Sequence, residues 1–379
     1  MKKPIALLFE LIANVIDNRA LSEEDIKALK DDDILKKTLK LATFHDLSHL
    51  VSKALLDNNI INEKDTEFYN TANNNVMLAI YRYEQLDYIT REVYALLEEN
   101  NIPYLPLKGE VVRELYPEKW MRTSCDADIF VRKKDVDKAV ELITDKLGGE
   151  FSWLGNHDVP IHFDNDTHIE LHFSFVDLND TCGDAFDDTL ETFIRVDEKG
   201  NRLKMPDELF YLHHIDHMAK HIKLGGCGIR PFLDLYLLIK SGIKRDEKLL
   251  EKYKLLTFAD SSENLSLSWF GDKPIDKEII PFAMFIIRGG AYGVDINSLK
   301  YREIALNKDT AKRIILPYNE LKYIYKPLAK HKALYPVFSV VRLFNLAFVT
   351  APKLLLKRKK AKKHNEKNKT DQMFESIGL

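Results

Sequence analysis

Cysteine is scarce in this chain: its 379 residues include three, Cys125, Cys182 and Cys227. An odd number at such scattered positions excludes a disulfide framework and fits a reducing cytoplasm. Long apolar runs are also missing. No charge-free stretch reaches the roughly 18 residues that a spanning helix needs, and Met1 is not followed by a charged n-region, an apolar h-region and a cleavage site. A soluble, cytoplasmic protein is expected. The net charge is small, −3, which excludes a surface built wholly for nucleic acid but leaves room for a local basic patch. No internal repeat is evident. What remains is ordinary globular composition, 45% hydrophobic and 30% charged, in a chain long enough for two or three domains.

Residues 1–100 read as a helical N-terminal region. Ile5, Leu8, Phe9, Ile12 and Ile16 form one stripe at helical spacing, and Leu35, Leu39, Ala42, Leu50 and Leu55 suggest a second. Ser22-Glu23-Glu24-Asp25 has the pattern of a capping box. Thr66 to Glu99 contains no glycine or proline and predicts one long helix. The breaker cluster Asn100-Asn101-Ile102-Pro103 then marks a boundary.

The central region, 101–204, mixes strand and helix signals. Tyr104 to Leu107 is a short buried strand, followed by a helix-like segment to Tyr116-Pro117 and a strand carrying Asp126 and Asp128. Lys134 to Leu147 predicts a helix stopped by Gly148-Gly149. Strands follow at Val159–Phe163 and His168–Phe175, with Asp164-Asn165-Asp166-Thr167 as the hairpin turn between them. Residues 205–330 are helical again, one helix from Pro206 and another around Pro231 to Ile239, with Gly225-Gly226-Cys227-Gly228 as their hinge.

The chemistry is concentrated on two of these strands. Side chains alternate faces along a strand, so Asp126 and Asp128 project together while Ala127, Ile129 and Val131 face the other way. Glu170 lies on the polar face of the His168–Phe175 strand, where it can converge with them. Carboxylates forced together either raise a pKa or recruit a cation, and an oxygen-rich group favours a hard ion such as Mg²⁺. Lys108-Gly109, at a strand-to-helix turn, offers backbone N–H groups suited to a phosphate. A separate feature is the row His213, His217 and His221, which share a helical face and are candidate transition-metal ligands.

Leu107-Lys108-Gly109, Tyr116-Pro117, Arg122, Asp126-Ala127-Asp128 and Glu170-Leu171-His172 resemble the uncharacterised nucleotidyltransferase family of the polymerase beta superfamily, related to the nucleotidyltransferase toxins of abortive-infection systems. The resemblance continues into His217-Met218-Ala219-Lys220-His221 and Arg230-Pro231-Phe232-Leu233-Asp234, and covers roughly residues 70 to 240. Two departures stand out: Gly109 is followed by Glu110 rather than serine, and Cys125 and Ala127 flank Asp126 where glycine and a larger aliphatic residue are commoner.

The resemblance implies an α+β fold in which a polymerase-beta-like core with a mixed sheet is flanked by helical N- and C-terminal regions. It implies transfer of an NMP from an NTP to an acceptor, whether RNA, protein or a small molecule. Asp126, Asp128 and Glu170 would hold Mg²⁺, with Mn²⁺ as the other fit, and Glu170 would complete a second metal site or accept the acceptor's proton. Lys108, Gly109, Arg122 and Lys220 would contact phosphates, and Arg230 would pair with Asp234 at i,i+4 spacing on the wall of the nucleotide cleft. Two other readings stay open: a metal-dependent hydrolase using the histidine-rich helix, and a non-catalytic nucleotide- or membrane-binding protein of the same fold.

Residues 331–379 read as an amphipathic helix and basic tail. Val337 to Leu356 is strongly apolar, and Lys357-Arg358-Lys359-Lys360-Ala361-Lys362-Lys363 follows without an acid. Such a segment either packs on the body with a solvated basic tail or contacts an anionic membrane surface or nucleic acid.

Overall fold

The computed structural model describes residues 3–62, 66–151, 157–164, 167–175, 182–186, 190–293, 318, 321, 325, 327–328, 331–350 and 367–379. Four helices open the chain: α1 (Lys3–Asp17), α2 (Glu23–Leu29), α3 (Asp32–Phe44) and α4 (Ser48–Asp57). Ser22 caps α2 by accepting from the Asp25 N–H, and Asp31 caps α3 by accepting from the Asp33 and Ile34 N–H groups. The second apolar stripe expected from the sequence is therefore divided between α3 and α4, because Asp46 takes positive φ in the turn between them.

Helix α5 (Thr66–Glu99) is continuous over 34 residues and joins two cores. Its Ala72 and Ala79 pack among the helices, whereas Leu86, Ile89, Val93 and Leu97 lie under the sheet. The sheet contains β1 (Tyr104–Pro106), β2 (Asp126–Val131), β3 (Glu150–Phe151), β4 (Asp158–His162) and β5 (His168–His172) in the order β1-β2-β5-β4-β3. Short helix α6 (Lys108–Arg113) connects β1 towards β2, and α7 (Val136–Leu147) follows β2. Gly148 closes α7 in the left-handed conformation, φ 73°, which a residue without Cβ adopts at little cost. The chain then builds the far edge with β3 and β4 before β5 returns between β4 and β2, so β2 and β5 run parallel and every other pair is antiparallel. Strand β5 ends at His172 rather than Phe175. The expected hairpin pairing of β4 and β5 is present, although residues 165 and 166 of the expected turn fall outside the described residues.

Ala127, Ile129, Val131, Val159, Ile161, Ile169 and Leu171 form the apolar face of the sheet, buried against α5 and α7. After the two-residue strands β6 (Ile194–Arg195) and β7 (Leu203–Lys204) come α8 (Asp207–Lys223), α9 (Arg230–Lys240), α10 (Glu247–Lys252), α11 (Leu256–Phe270) and α12 (Ile280–Gly289). These share one core with α1–α4: the Phe9 ring stacks on Trp269 with centroids 4.7 Å apart, and Trp269 in turn meets Phe232 edge-on. Beginning and end of the helical part thus make a single body, against which the polar face of the sheet is turned. The last described helices are α13 (Tyr335–Phe344), continued by a π-helical turn over Asn345–Thr350, and α14 (Lys367–Ser376), whose Met373 and Phe374 join the helical core. The basic run 357–363 lies outside the described residues. No helix among the described residues is long and apolar enough to cross a membrane.

Candidate active site

The parallel register of β2 and β5 sets His168 opposite Asp126 and Glu170 opposite Asp128. Because residues two apart share a face, the pairing gathers Asp126, Asp128, His168, Glu170 and His172 on the side of the sheet away from its apolar core. One donor atom from each of Asp126, His168 and Glu170 lies within 4.8 Å of the other two, and the same holds for Asp128, Glu170 and His172. The three carboxylates singled out in the sequence are brought together. Further along this face Phe130 stacks on Phe175, centroids 4.2 Å apart, so the charged floor gives way to an apolar wall.

Each carboxylate sits in a different electrostatic setting. Burial is the main influence on Asp126, and with the carboxylates of Asp128 and Glu170 beside it the group is held above its usual range. Burial alone would also raise Asp128. Lys108, whose Nζ is 3.8 Å from Asp128 Oδ2, and the His172 Nε2 contact to Oδ1 at 2.7 Å outweigh it and hold Asp128 well below the carboxylate range. His168 and His172, each with Nε2 3.6 Å from a Glu170 oxygen, bring Glu170 down to about 2. Burial opposes a charge on His172, but its two carboxylate partners prevail and raise it to about 9. Protonated, His172 is a cation set between two acids, and its Nε2 can serve a metal ion only when that proton leaves.

His168 and His172 are not among the ligands expected from the sequence, although strict alternation through His168-Ile169-Glu170-Leu171-His172 puts both on the acidic face. Carboxylate oxygens from two strands plus imidazole nitrogens make a donor set suited to a divalent ion, the oxygens favouring Mg²⁺ and the nitrogens widening the choice towards Mn²⁺. The surplus negative charge felt by Asp126 is what such an ion would relieve.

The neighbouring cations are used in different ways. Lys108 begins α6 with φ 30° and reaches the cleft. Helix α6 has only six residues, and Gly109 serves a steric purpose: a Cβ there would lie 2.6 Å from Arg122 Nη1. Arg122 donates to both oxygens of Asp234, Nε at 3.1 and 3.2 Å and Nη2 at 2.8 Å, while the Tyr116 hydroxyl donates to Oδ1 at 2.7 Å. This corrects the expected Arg230–Asp234 pair. Although i,i+4 spacing permits it, Asp234 is 3% exposed and its oxygens are taken by Arg122 and Tyr116. Arg230 instead donates to the Thr123 carbonyl at 2.6 Å and lies 3.6 Å from Asp46. Asp234 and Arg122 therefore clamp the loop before β2 to helix α9.

Helix α8 forms the opposite wall. Leu107, Lys108, His157, His172, His213 and Lys220 are among the residues lining a pocket between it and the sheet. His213 stands edge-on to Phe186, centroids 5.6 Å apart, and its Nδ1 is buried without a hydrogen-bond partner. Burial drives His213 down to about 3 and His221 to about 4, with Lys108 adding to both shifts. His217 and His221 do share a face, their Nε2 atoms 3.0 Å apart. Among the described residues, however, the groups of three or more converging metal donors both lie on the sheet, and none includes a histidine of α8.

No curated protein matches this chain. Among solved structures, that of the antibiotic-resistance factor ANT(2'')-Ia, a solution structure described as revealing substrate-regulated conformation dynamics, is similar over 45% of this chain and 89% of that one, at 13% identity and a TM-score of 0.33. Residues 33–265, well over half of the chain and including both acidic strands and the clamp, match the family described as uncharacterised nucleotidyltransferase, and the chain belongs to that family.

Proposed function

We propose that the protein is a metal-dependent nucleotidyltransferase that moves an NMP from an NTP to a hydroxyl or phosphate acceptor. The observation that carries this reading is the β2–β5 register, which sets Glu170 opposite Asp128 and His168 opposite Asp126 beside a pocket lined by Lys108 and Lys220. Asp126, Asp128 and Glu170 would hold the ion, with His168 and His172 as added donors. A bound Mg²⁺ or Mn²⁺ supplies neutralisation of the charge that gathers on the transferred and departing phosphates.

In the reaction, an acceptor oxygen bonds to the α-phosphorus as its bond to the β-phosphate oxygen breaks, and pyrophosphate leaves. Glu170, kept ionised by its histidine neighbours, takes the acceptor's proton when that acceptor is a hydroxyl. Lys108 and Lys220 hold phosphate oxygens. Arg122 acts through position, since its guanidinium is committed to Asp234 and packs on Gly109. In this reading the chain divides into a helical region 1–100, a catalytic core 101–204, a helical wall 205–330 and a tail 331–379. RNA ends, protein side chains and small molecules all suit such a site, because the fold and metal ligands do not select the second substrate.

The test is calorimetric titration of each non-hydrolysable NTP, with Mg²⁺ or Mn²⁺, into the wild-type protein and the variant Asp126→Ala/Asp128→Ala. Metal-dependent binding present in the first and lost in the second is expected. Wild-type protein that binds no nucleotide with either metal would overturn the proposal, and stoichiometric zinc that survives in the double variant would favour the hydrolase reading instead.

A further inference from the structure

Helix α13 has no buried residue, yet it is one of the most apolar helices of the chain. Its inner side is accounted for: Tyr335 meets Tyr318 edge-on and Phe338 packs on Tyr325 with centroids 4.9 Å apart. The outer side is not. Val337, Val340, Val341, Phe344 and Phe348 follow helical spacing along one solvent-facing stripe, with Phe344 60% and Phe348 71% exposed and their rings stacked 5.6 Å apart. Contiguous exposed apolar surface of this kind marks a contact site. The sequence around it is strongly basic: from Leu321 to Asn365 there are twelve lysines and arginines and no aspartate or glutamate, in a chain whose net charge is −3.

We propose that α13 with its π-helical continuation is a docking element for an anionic lipid bilayer, lying in the plane of the membrane. A bilayer meets both demands at once, since acyl chains take the valine and phenylalanine stripe while acidic headgroups take the flanking cations. Nucleic acid would satisfy the charges but leave Val337, Val340 and Val341 in water. A second copy docked symmetrically on the stripe would bring two basic flanks together. Residues 335–350 extend about 24 Å as a helix, less than the roughly 30 Å hydrocarbon core, so the element rests at the surface and does not span.

The experiment is co-sedimentation of the full chain with vesicles of phosphatidylcholine alone or of phosphatidylcholine and phosphatidylserine in equal amounts. The wild type is expected to pellet with the anionic vesicles only, and less so as salt rises. The exposed-stripe variant Val341→Glu/Phe344→Glu/Phe348→Glu, checked for unchanged thermal unfolding, should lose at least tenfold in partitioning. Each Lys→Gln change among Lys357, Lys359, Lys360, Lys362 and Lys363 should lower it roughly fivefold. Wild-type protein left in the supernatant by both vesicles, or a stripe variant that pellets like the wild type, would overturn the proposal. So would tight binding of single-stranded RNA that survives the three substitutions while the vesicles bind nothing.

Discussion

Arg122 reaches across from the loop before β2 and grips both carboxylate oxygens of Asp234 on α9, a buried contact that ties the segment leading into the acidic strand to the helical body. Burial would raise Asp234, but the guanidinium beside it holds the carboxyl below its usual range. A fork of two parallel donors is rigid as well as strong, so the pair holds the loop before β2 against α9.

Replacing Asp234 with asparagine leaves Arg122 charged and buried without its counterion. We expect a loss of about 3–5 kcal/mol in urea unfolding, the usual consequence of breaking one side of a buried pair. Equal stability of the variant and the wild type would remove the clamp from the account of this fold.

Gly109→Ala tests the same contact from the other side. Its Cβ would meet Arg122 Nη1 at 2.6 Å, and the three bonds to Asp234 prevent the guanidinium from swinging away. The expected cost is about 1–3 kcal/mol, as for other overpacked sites. Combining it with Arg122→Ala should recover most of the steric part, which a double-mutant cycle measures.

Asp126→Asn should raise stability at neutral pH while abolishing metal-dependent nucleotide binding. Burial and two neighbouring carboxylates hold the Asp126 carboxyl above its unfolded value, so the group costs folding energy that builds as pH rises past the unfolded value and is complete above the folded one. The stabilisation should be present at pH 7 and vanish towards pH 3, where aspartate is protonated in both folded and unfolded states. Melting curves without added metal at the two pH values decide it, and a variant less stable at pH 7 would contradict this electrostatic picture.

The buried histidines of α8 set an acid limit on stability. Burial lowers His213 to about 3 and His221 to about 4, and pushes His214 and His217 down as well. A histidine depressed in the folded state takes up protons first in the unfolded chain, so its contribution is complete above pH 6.5 and erodes as pH falls towards its folded value. Each contributes a slope of about 1.4 kcal/mol per pH unit in that window. Denaturant midpoints between pH 7 and 4.5 should fall accordingly, and His213→Asn should flatten the curve.

Much of the core region was legible because local physics governs it. Alternation in Asp126-Ala127-Asp128-Ile129 told which face was acidic, and the uninterrupted run 66–99 foretold α5. The parts that failed were choices among chemically equivalent partners. Spacing allowed Arg230 to pair with Asp234, but only the packed fold brings Arg122 and Tyr116 to that carboxylate first. His168 and His172 could have been recognised as part of the site from alternation alone, yet their effect on the carboxylates depends on which strand lies beside β5.

The sequence by itself determined the elements, their caps and the acidic face, since these follow from φ/ψ preference and from the two-residue and 3.6-residue periods of neighbouring side chains. Tertiary structure decided the rest: that β5 inserts parallel beside β2, that α1–α4 and α8–α12 close on one core, and that α13 turns its apolar stripe outward. These are contacts between residues far apart in the chain, selected by the burial and charge of the whole molecule.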